Sequence, residues 1–153
     1  MKIVLQRVKK AFIVVQEQVV AEIHKGVCLL VGIEKGDCEE SADYLAKKIV
    51  ELRIFPDKDG KMNMSLLDTK GEILAVSQFT LVGSVKKGRR PSFDKAERPG
   101  LAETLFNYFV ERLREKGIKV ETGVFQAMMD VHLVNDGPVT FIIERKNSDT
   151  RNI

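Results

Sequence analysis

Gly26-Val27-Cys28-Leu29-Leu30-Val31-Gly32-Ile33 is a near-continuous apolar run of strand length. A strand with one wet face alternates apolar and polar residues, so this run suits a strand buried on both faces. Upstream, strands are expected at 2–8, 11–16 and 18–23. The last two lie close enough for a tight hairpin, although Gln16-Glu17 is not a favoured turn pair. Downstream, Asp37 opens a helix, with Glu40 three residues later as its capping-box partner. Ala42, Leu45, Ala46, Ile49 and Val50 recur at helical spacing and give that helix one apolar face.

Pro56 and Asp59-Gly60 end this part of the chain in a turn, and 73–79 reads as a second buried strand. Residues 83–100 form a loop of a length that is uncommon in compact domains and often functional. A second helix over 101–116 places Ala102, Leu105, Phe106, Phe109, Val110 and Leu113 on one face, and Gly117 closes it. Strands at 118–122, 130–135 and 138–144 complete the pattern, followed by a polar, loosely held tail over 144–153. Strands outnumber helices and are joined partly directly and partly through helices. The expected fold is α+β: a curved, barrel-like sheet covered by two long helices, in one domain over 1–153.

The bulk composition agrees with such a domain. A chain of 153 residues, 44% hydrophobic and 31% charged, buries enough surface for a real core without staples. Its two cysteines make no disulfide framework; Cys28 reads as a small buried hydrophobe. Gln6, Arg7, Lys9 and Lys10 interrupt any secretory h-region, and no apolar stretch approaches the roughly 18 residues of a membrane span. A cytoplasmic location is expected. The net charge of +3 permits an RNA partner without arguing for one. Lys86, Lys87, Arg89 and Arg90, with Lys95 and Arg98, crowd the 83–100 loop. Charge alone leaves two readings open there, a solvated loop and a phosphate-contact surface.

Familiar catalytic sets are missing. His24 and His132 sit in strand-like segments with no ligand spacing around them, which reads as structural or surface histidine. There is no Gly-x-Ser-x-Gly elbow and no Gly-rich phosphate loop. Cys38 has no histidine signature near it, so nothing marks it as an activated nucleophile. Two segments stand out instead. Ser77-Gln78-Phe79-Thr80-Leu81 ends an apolar strand with hydroxyls, an amide and an aromatic; it is either an ordinary strand end or a site. Asn135-Asp136-Gly137-Pro138-Val139-Thr140 reads as a turn between two strands. A cis Gly-Pro unit there would fix two carbonyls rigidly with no side chain in the way.

These two segments together resemble the D-aminoacyl-tRNA deacylases, also called D-tyrosyl-tRNA deacylases. Gln6-Arg7-Val8, Arg53-Ile54-Phe55, Gly60-Lys61-Met62-Asn63, Arg90-Pro91-Ser92-Phe93, Asn107-Tyr108-Phe109 and Thr122-Gly123 with Phe125 follow that family's pattern in order. The resemblance implies a homodimer with its active site at the subunit interface, where the Gly-cis-Pro pair of one subunit enters the pocket of the other. It makes Gly137 and Pro138 that pair. It places Ser77, Gln78, Phe79 and Thr80 in the facing pocket, with Phe125 and Met129 in its wall. It implies aminoacyl-tRNA as substrate, with Lys86, Lys87, Arg89 and Arg90 on its phosphates, and no metal or organic cofactor. The expected activity is hydrolysis of D-aminoacyl- and glycyl-tRNA with the L-ester spared. The competing reading is a non-catalytic tRNA-binding dimer. Two departures are visible: Gln126 stands where Gly or Ala is expected, and Phe12 where a small polar residue is.

Overall fold

The computed structural model describes residues 1–146. In chain order the elements are β1 (Lys2–Val15), β2 (Gln18–Ile23), β3 (Gly26–Gly32), α1 (Glu39–Glu51), β4 (Phe55–Pro56), β5 (Met62–Met64), α2 (Leu66–Thr69), β6 (Glu72–Ser77), a 3-10 turn (Phe79–Val82), α3 (Pro99–Glu115), β7 (Val120–Thr122) and β8 (Asp130–Glu144). β1 is the spine of the main sheet. One of its edges pairs antiparallel with β8 over nearly its whole length; the other pairs with β3 over 2–8 and with β2 over 11–15. β3 pairs in parallel with β6, and β6 with β7. β2 also lies against β6 and β7, so the sheet rolls toward closure.

This α+β arrangement has two apolar layers, and β3 belongs to both. Val27, Leu29 and Val31 face α1 and α3, among Leu45, Ile49, Phe106, Phe109 and Leu113. Cys28 faces the barrel interior with Val8, Ala11, Ile13, Ile23, Leu74 and Val76. The uninterrupted apolar character of β3 follows from burial on each side. Phe109 and Leu113 of α3 and Leu45 and Ile49 of α1 are fully buried, as the helical spacing predicts.

Several local expectations are corrected. The strands expected at 2–8 and 11–16 are one strand, β1. Exposed Lys9 and Lys10 interrupt its apolar pattern at a register irregularity between Val8 and Lys10. The extra β1 residue there restores the side-chain face, so Val8 and then Ala11 and Ile13 all enter the barrel core. The strands expected at 130–135 and 138–144 are likewise one strand, β8, and no hairpin separates them. The unfavoured Gln16-Glu17 pair does form the β1–β2 turn, with φ of 47° and 65°. That turn geometry suits Asn-Gly, and each non-glycine residue in it costs about 1–2 kcal/mol.

Helix α1 starts two residues after Asp37. Its N-cap is Cys38, which makes no side-chain cap bond. The Asp37 carboxylate is occupied elsewhere, accepting from the Glu34 N–H at 2.7 Å and from the Met1 ammonium. A capping box does occur where none was expected: Ser65 and Asp68 cap α2 reciprocally, at 3.1 and 2.9 Å. At the far end, Glu144 pairs with Lys2 and the Arg145 N–H donates to the Met1 carbonyl at 3.0 Å, so the start of the expected loose tail is held. The remainder of that tail, 147–153, lies outside the described residues.

Candidate active site

The segment 135–140 interrupts the β1–β8 ladder without breaking either strand. Gln6 opposes Thr140 and Val8 opposes Asn135, leaving residues 136–139 opposite Arg7 alone. The strand bulges outward there, and Gly137 and Pro138 are exposed at its crest with a cis bond between them. Side chains on both flanks fix the bulge. Asn135 Oδ1 accepts from the Val139 N–H at 2.9 Å, and Asn135 Nδ2 donates to Thr140 Oγ1 at 3.0 Å. Arg7 holds it from below. Its guanidinium is nearly buried, donates through Nε to the Asp136 carbonyl at 3.1 Å and lies 3.3 Å from the Asp136 carboxylate. Its Nη1 donates to the Ile54 carbonyl at 2.6 Å. Arg7 thereby takes up the Asp136 carbonyl beneath the crest.

Gly137 is required by its backbone. Its φ is +136°, and an added Cβ would lie 2.6 Å from Val139 Cγ2 and 3.3 Å from Arg7 Nη2. Glycine alone tolerates both conditions.

The second segment leaves the sheet at the end of β6. Ser77 is half-buried and lines a narrow crevice with Phe106, Gly123, Val124, Phe125 and Met129. Thus Ser77, expected in the pocket, and Phe125 and Met129, expected in its wall, line one crevice. The chain then turns: Gln78 is extended, and Phe79 and Thr80 open the 3-10 turn. The first N–H groups of such a turn have no acceptor within it. Gln78 Nε2 lies 3.1 Å from Thr80 Oγ1. Among the described residues no carboxylate, lysine or histidine hydrogen-bonds the Thr80 hydroxyl. His132 is committed elsewhere, stacked on Phe12 with centroids 4.4 Å apart, and His24 is exposed. Nor, among the described residues, does any hydrogen bond join Gly137 or Pro138 to Ser77, Gln78, Phe79 or Thr80. Gln126 is exposed with φ +64°, in a turn closed by the Ala127 N–H on the Val124 carbonyl at 3.2 Å. The left-handed backbone is one that glycine, of the two residues expected there, adopts without cost, and Gln126 does not line the crevice.

Lys86, Lys87, Arg89 and Arg90 are exposed. They lie on a seven-residue excursion closed by reciprocal bonds between Ser84 and Ser92, at 2.7 and 2.8 Å. Arg7 belongs to the architecture of the bulge although sequence reasoning gave it no role. Arg7 carried a signal: it falls on the inward face after Ile3 and Leu5, where an aliphatic residue would otherwise stand. Burial raises the Cys28 thiol to about 12, in keeping with its place in the barrel interior.

The D-Tyr-tRNA(Tyr) deacylase family model matches residues 4–144, almost the entire chain. The chain belongs to that family. It is 57% identical over 151 residues to the D-aminoacyl-tRNA deacylase of Geotalea uraniireducens, covering 99% of this chain and 97% of the relative. It is 59% identical over 143 residues to the D-aminoacyl-tRNA deacylase of Persephonella marina, covering 94% and 97%. Among solved structures, the c-Myc DNA Unwinding Element Binding Protein superposes with a TM-score of 0.90 at 40% identity, over 95% of this chain and 99% of that one. A probable eukaryotic D-amino acid tRNA deacylase shares the fold, with a TM-score of 0.81 at 18% identity over 93% and 97%. Family membership and these superpositions bear out the α+β, barrel-like reading of the sequence.

Proposed function

We propose that this chain hydrolyses the ester of D-aminoacyl-tRNA and of mischarged glycyl-tRNA while sparing L-aminoacyl-tRNA, as quality control of translation in the cytoplasm. The hydrolase class follows from membership in a family of deacylases. The observation that carries the finer reading is the Arg7-held bulge. It puts Gly137 and Pro138 at an exposed crest, and among the described residues no hydrogen bond joins them to the pocket segment of their own chain. A second copy supplies the missing half: in a homodimer, Gly137 and Pro138 of one subunit enter the pocket lined by Ser77, Gln78, Phe79, Thr80, Phe125 and Met129 of the other. Apolar residues exposed on β8, Val131, Val134, Phe141 and Ile142, support burial of this region against a partner.

Discrimination by handedness then needs no side-chain reading. The Gly137 and Pro138 carbonyls accept hydrogen bonds from the substrate ammonium. The rigid backbone leaves space on the Cα for hydrogen but not for an L side chain, so rejection comes from exclusion. Glycine presents no substituent to exclude and passes.

Water attacks the ester carbonyl carbon and the bond to the terminal ribose oxygen breaks. The proton lost by water passes to that oxygen, giving a free amino acid and uncharged tRNA. The N–H groups of Phe79 and Thr80 face the developing oxyanion, each donor contributing about 3–4 kcal/mol if a known oxyanion hole is the guide. Thr80 is not the nucleophile in this account, since among the described residues its hydroxyl hydrogen-bonds the Gln78 amide and no basic side chain. The proton route runs through the substrate's own 2′-hydroxyl. Lys86, Lys87, Arg89 and Arg90 contact phosphate, which makes tRNA binding sequence-tolerant and salt-sensitive.

The test is ester loss from D-tyrosyl-, L-tyrosyl- and glycyl-tRNA with wild type and Thr80→Ala. Loss of the D- and glycyl esters alone, retained within about tenfold by Thr80→Ala, supports the reading. Binding without turnover on any ester would instead make the chain a tRNA-binding dimer. Collapse of Thr80→Ala with an acyl-enzyme trapped in wild type would make Thr80 the nucleophile.

A further inference from the structure

Two segments that carry the family pattern, Arg53-Ile54-Phe55 and Gly60-Lys61-Met62-Asn63, do not line the crevice. They are the two arms of one hairpin, in which Phe55 opposes Met64 and Pro56 opposes Met62. Its strands, β4 and β5, have two and three residues. A two-stranded ladder that short is marginal in water. Other contacts hold it in place. Ile54 and Phe55 are buried in the core that α1 and α3 cover. Asp57 closes the tip: its N–H donates to the Lys61 carbonyl at 2.8 Å, and its carboxylate accepts from the Asp59 and Lys61 N–H groups at 2.8 and 3.0 Å. Hydrogen bonds from the Lys61 and Asp59 N–H groups and from the Asn63 side chain hold that carboxyl below the usual carboxylate range. At the root, Arg53 reaches across the hairpin. Its Nε donates to the Asn63 carbonyl at 2.8 Å and its Nη2 donates to Asn63 Oδ1.

The root meets the β8 bulge through the next residue. Ile54 gives its carbonyl to Arg7 Nη1 at 2.6 Å, and the same guanidinium donates through Nε to the Asp136 carbonyl at 3.1 Å. A guanidinium is planar and its donors form a rigid fork. Moving the Ile54 carbonyl therefore moves the Nε donor, and with it the Asp136 backbone, one residue before Gly137. Arg53 is itself exposed. An exposed side chain contributes little to global stability, so what its two bonds fix is local.

We propose that Arg53, bonded to Asn63, is a positioning residue for the Gly137-Pro138 bulge: it fixes the Ile54 carbonyl that seats Arg7, and Arg7 carries that position to the bulge. This inference rests on the deacylase reading and adds what sets the place of the group that meets the substrate ammonium. Arg53 touches no substrate, and its effect passes through Arg7.

The experiment is a double-mutant cycle on the full chain. Single-turnover deacylation of D-tyrosyl-tRNA is measured for wild type, Arg53→Met, Arg7→Met and the double variant, each with a melting curve. A full ångström of misplacement costs on the order of 100-fold; Arg53→Met, which loosens the anchor and leaves Arg7 present, lowers the rate about tenfold with little change in Tm. In the Arg7→Met background the same substitution costs nothing more, because the path is already cut. Arg53→Lys, which keeps one donor, recovers part of the rate. Equal rates in wild type and Arg53→Met overturn the proposal. So does a tenfold loss that persists in the Arg7→Met background, the mark of a role independent of Arg7. Solvent exchange of the Arg7 Nε–H proton, followed by NMR, reads the same path without substrate. Faster exchange in Arg53→Met supports the brace, and unchanged exchange overturns it. If wild type cleaves no ester while that exchange still responds, the brace stands and the catalytic reading falls.

Discussion

Replacing Gly137 with alanine adds one methyl group at the crest of the β8 bulge, in a backbone conformation with φ +136°. The new Cβ would sit 2.6 Å from Val139 Cγ2 and 3.0 Å from the Val139 nitrogen, on a residue that is itself buried. Val139 cannot withdraw, because its N–H is bonded to Asn135 Oδ1 at 2.9 Å. Neither can the other side give freely, since Arg7 Nη2 lies 3.3 Å from the same point and its guanidinium is tied to Ile54 and Asp136. Forcing an L residue into sparsely populated backbone costs about 1–3 kcal/mol. In a chain this size that lowers Tm by several degrees without unfolding it. The larger effect falls on activity. The bulge relieves the overlap by rotating the Gly137 carbonyl, and a displacement of about 1 Å in a positioning group costs on the order of 100-fold. The assay is single-turnover deacylation of D-tyrosyl-tRNA beside a melting curve. A rate within about threefold of wild type, with the melting change as expected, would refute the assignment of Gly137 to substrate positioning.

Arg7→Met removes the donor to two carbonyls and leaves the Asp136 carboxylate unpaired. Because that carboxylate is partly open to water, the loss should be about 2–3 kcal/mol in urea denaturation, and a change under about 0.5 kcal/mol would contradict it. The Cys28 thiol should resist disulfide reagents until the chain unfolds. Burial pushes its folded pKa up to about 12, above that of an ordinary thiol, so its contribution is complete below the unfolded pKa and is lost as pH rises toward the folded one. Melting across that alkaline range should therefore fall less steeply in Cys28→Ala; an equal slope would argue against it. Ser65→Ala should cost about 1 kcal/mol by uncapping α2. Hydrogen bonds from Ser65 hold the Asp68 carboxyl below the usual carboxylate range. The contribution of Asp68 is present at neutral pH and is lost as pH falls through its folded pKa, a titration shift that NMR would detect and Ser65→Ala would reduce.

The sequence displayed the elements whose burial is simple. β3 reads as apolar throughout because it serves two cores, and α1 and α3 show their buried stripes at helical spacing. It concealed features that depend on a partner strand. Lys9-Lys10 looks like a break between strands, yet it is an irregularity inside β1 that depends on pairing with β8. Asn135-Asp136-Gly137-Pro138 has every mark of a hairpin turn, and only the ladder on both sides of Arg7 makes it a bulge. Gln16-Glu17 forms a tight turn against local preference because the flanking strands dictate it. Asp37 is drawn from helix capping by groups distant in sequence. Of the candidate site, the chemical segments were legible as motifs. Arg7 as anchor of the bulge was not, since its role resides in a contact 129 residues away.

The most direct test of the two-copy site is a mixed dimer. Phe79→Pro removes one N–H donor, and the backbone accepts it, since Phe79 begins the turn and Gln78 is extended with φ −143° and ψ 93°. Gly137→Ala removes the clamp and keeps the pocket. Each variant alone should have little deacylase activity. Refolded together at equal amounts, half the dimers are mixed and each has one intact site, so about a quarter of the wild-type rate on D-tyrosyl-tRNA should return. Recovery to that level means the clamp of one subunit serves the pocket of the other; a mixture no more active than its parts would contradict the account.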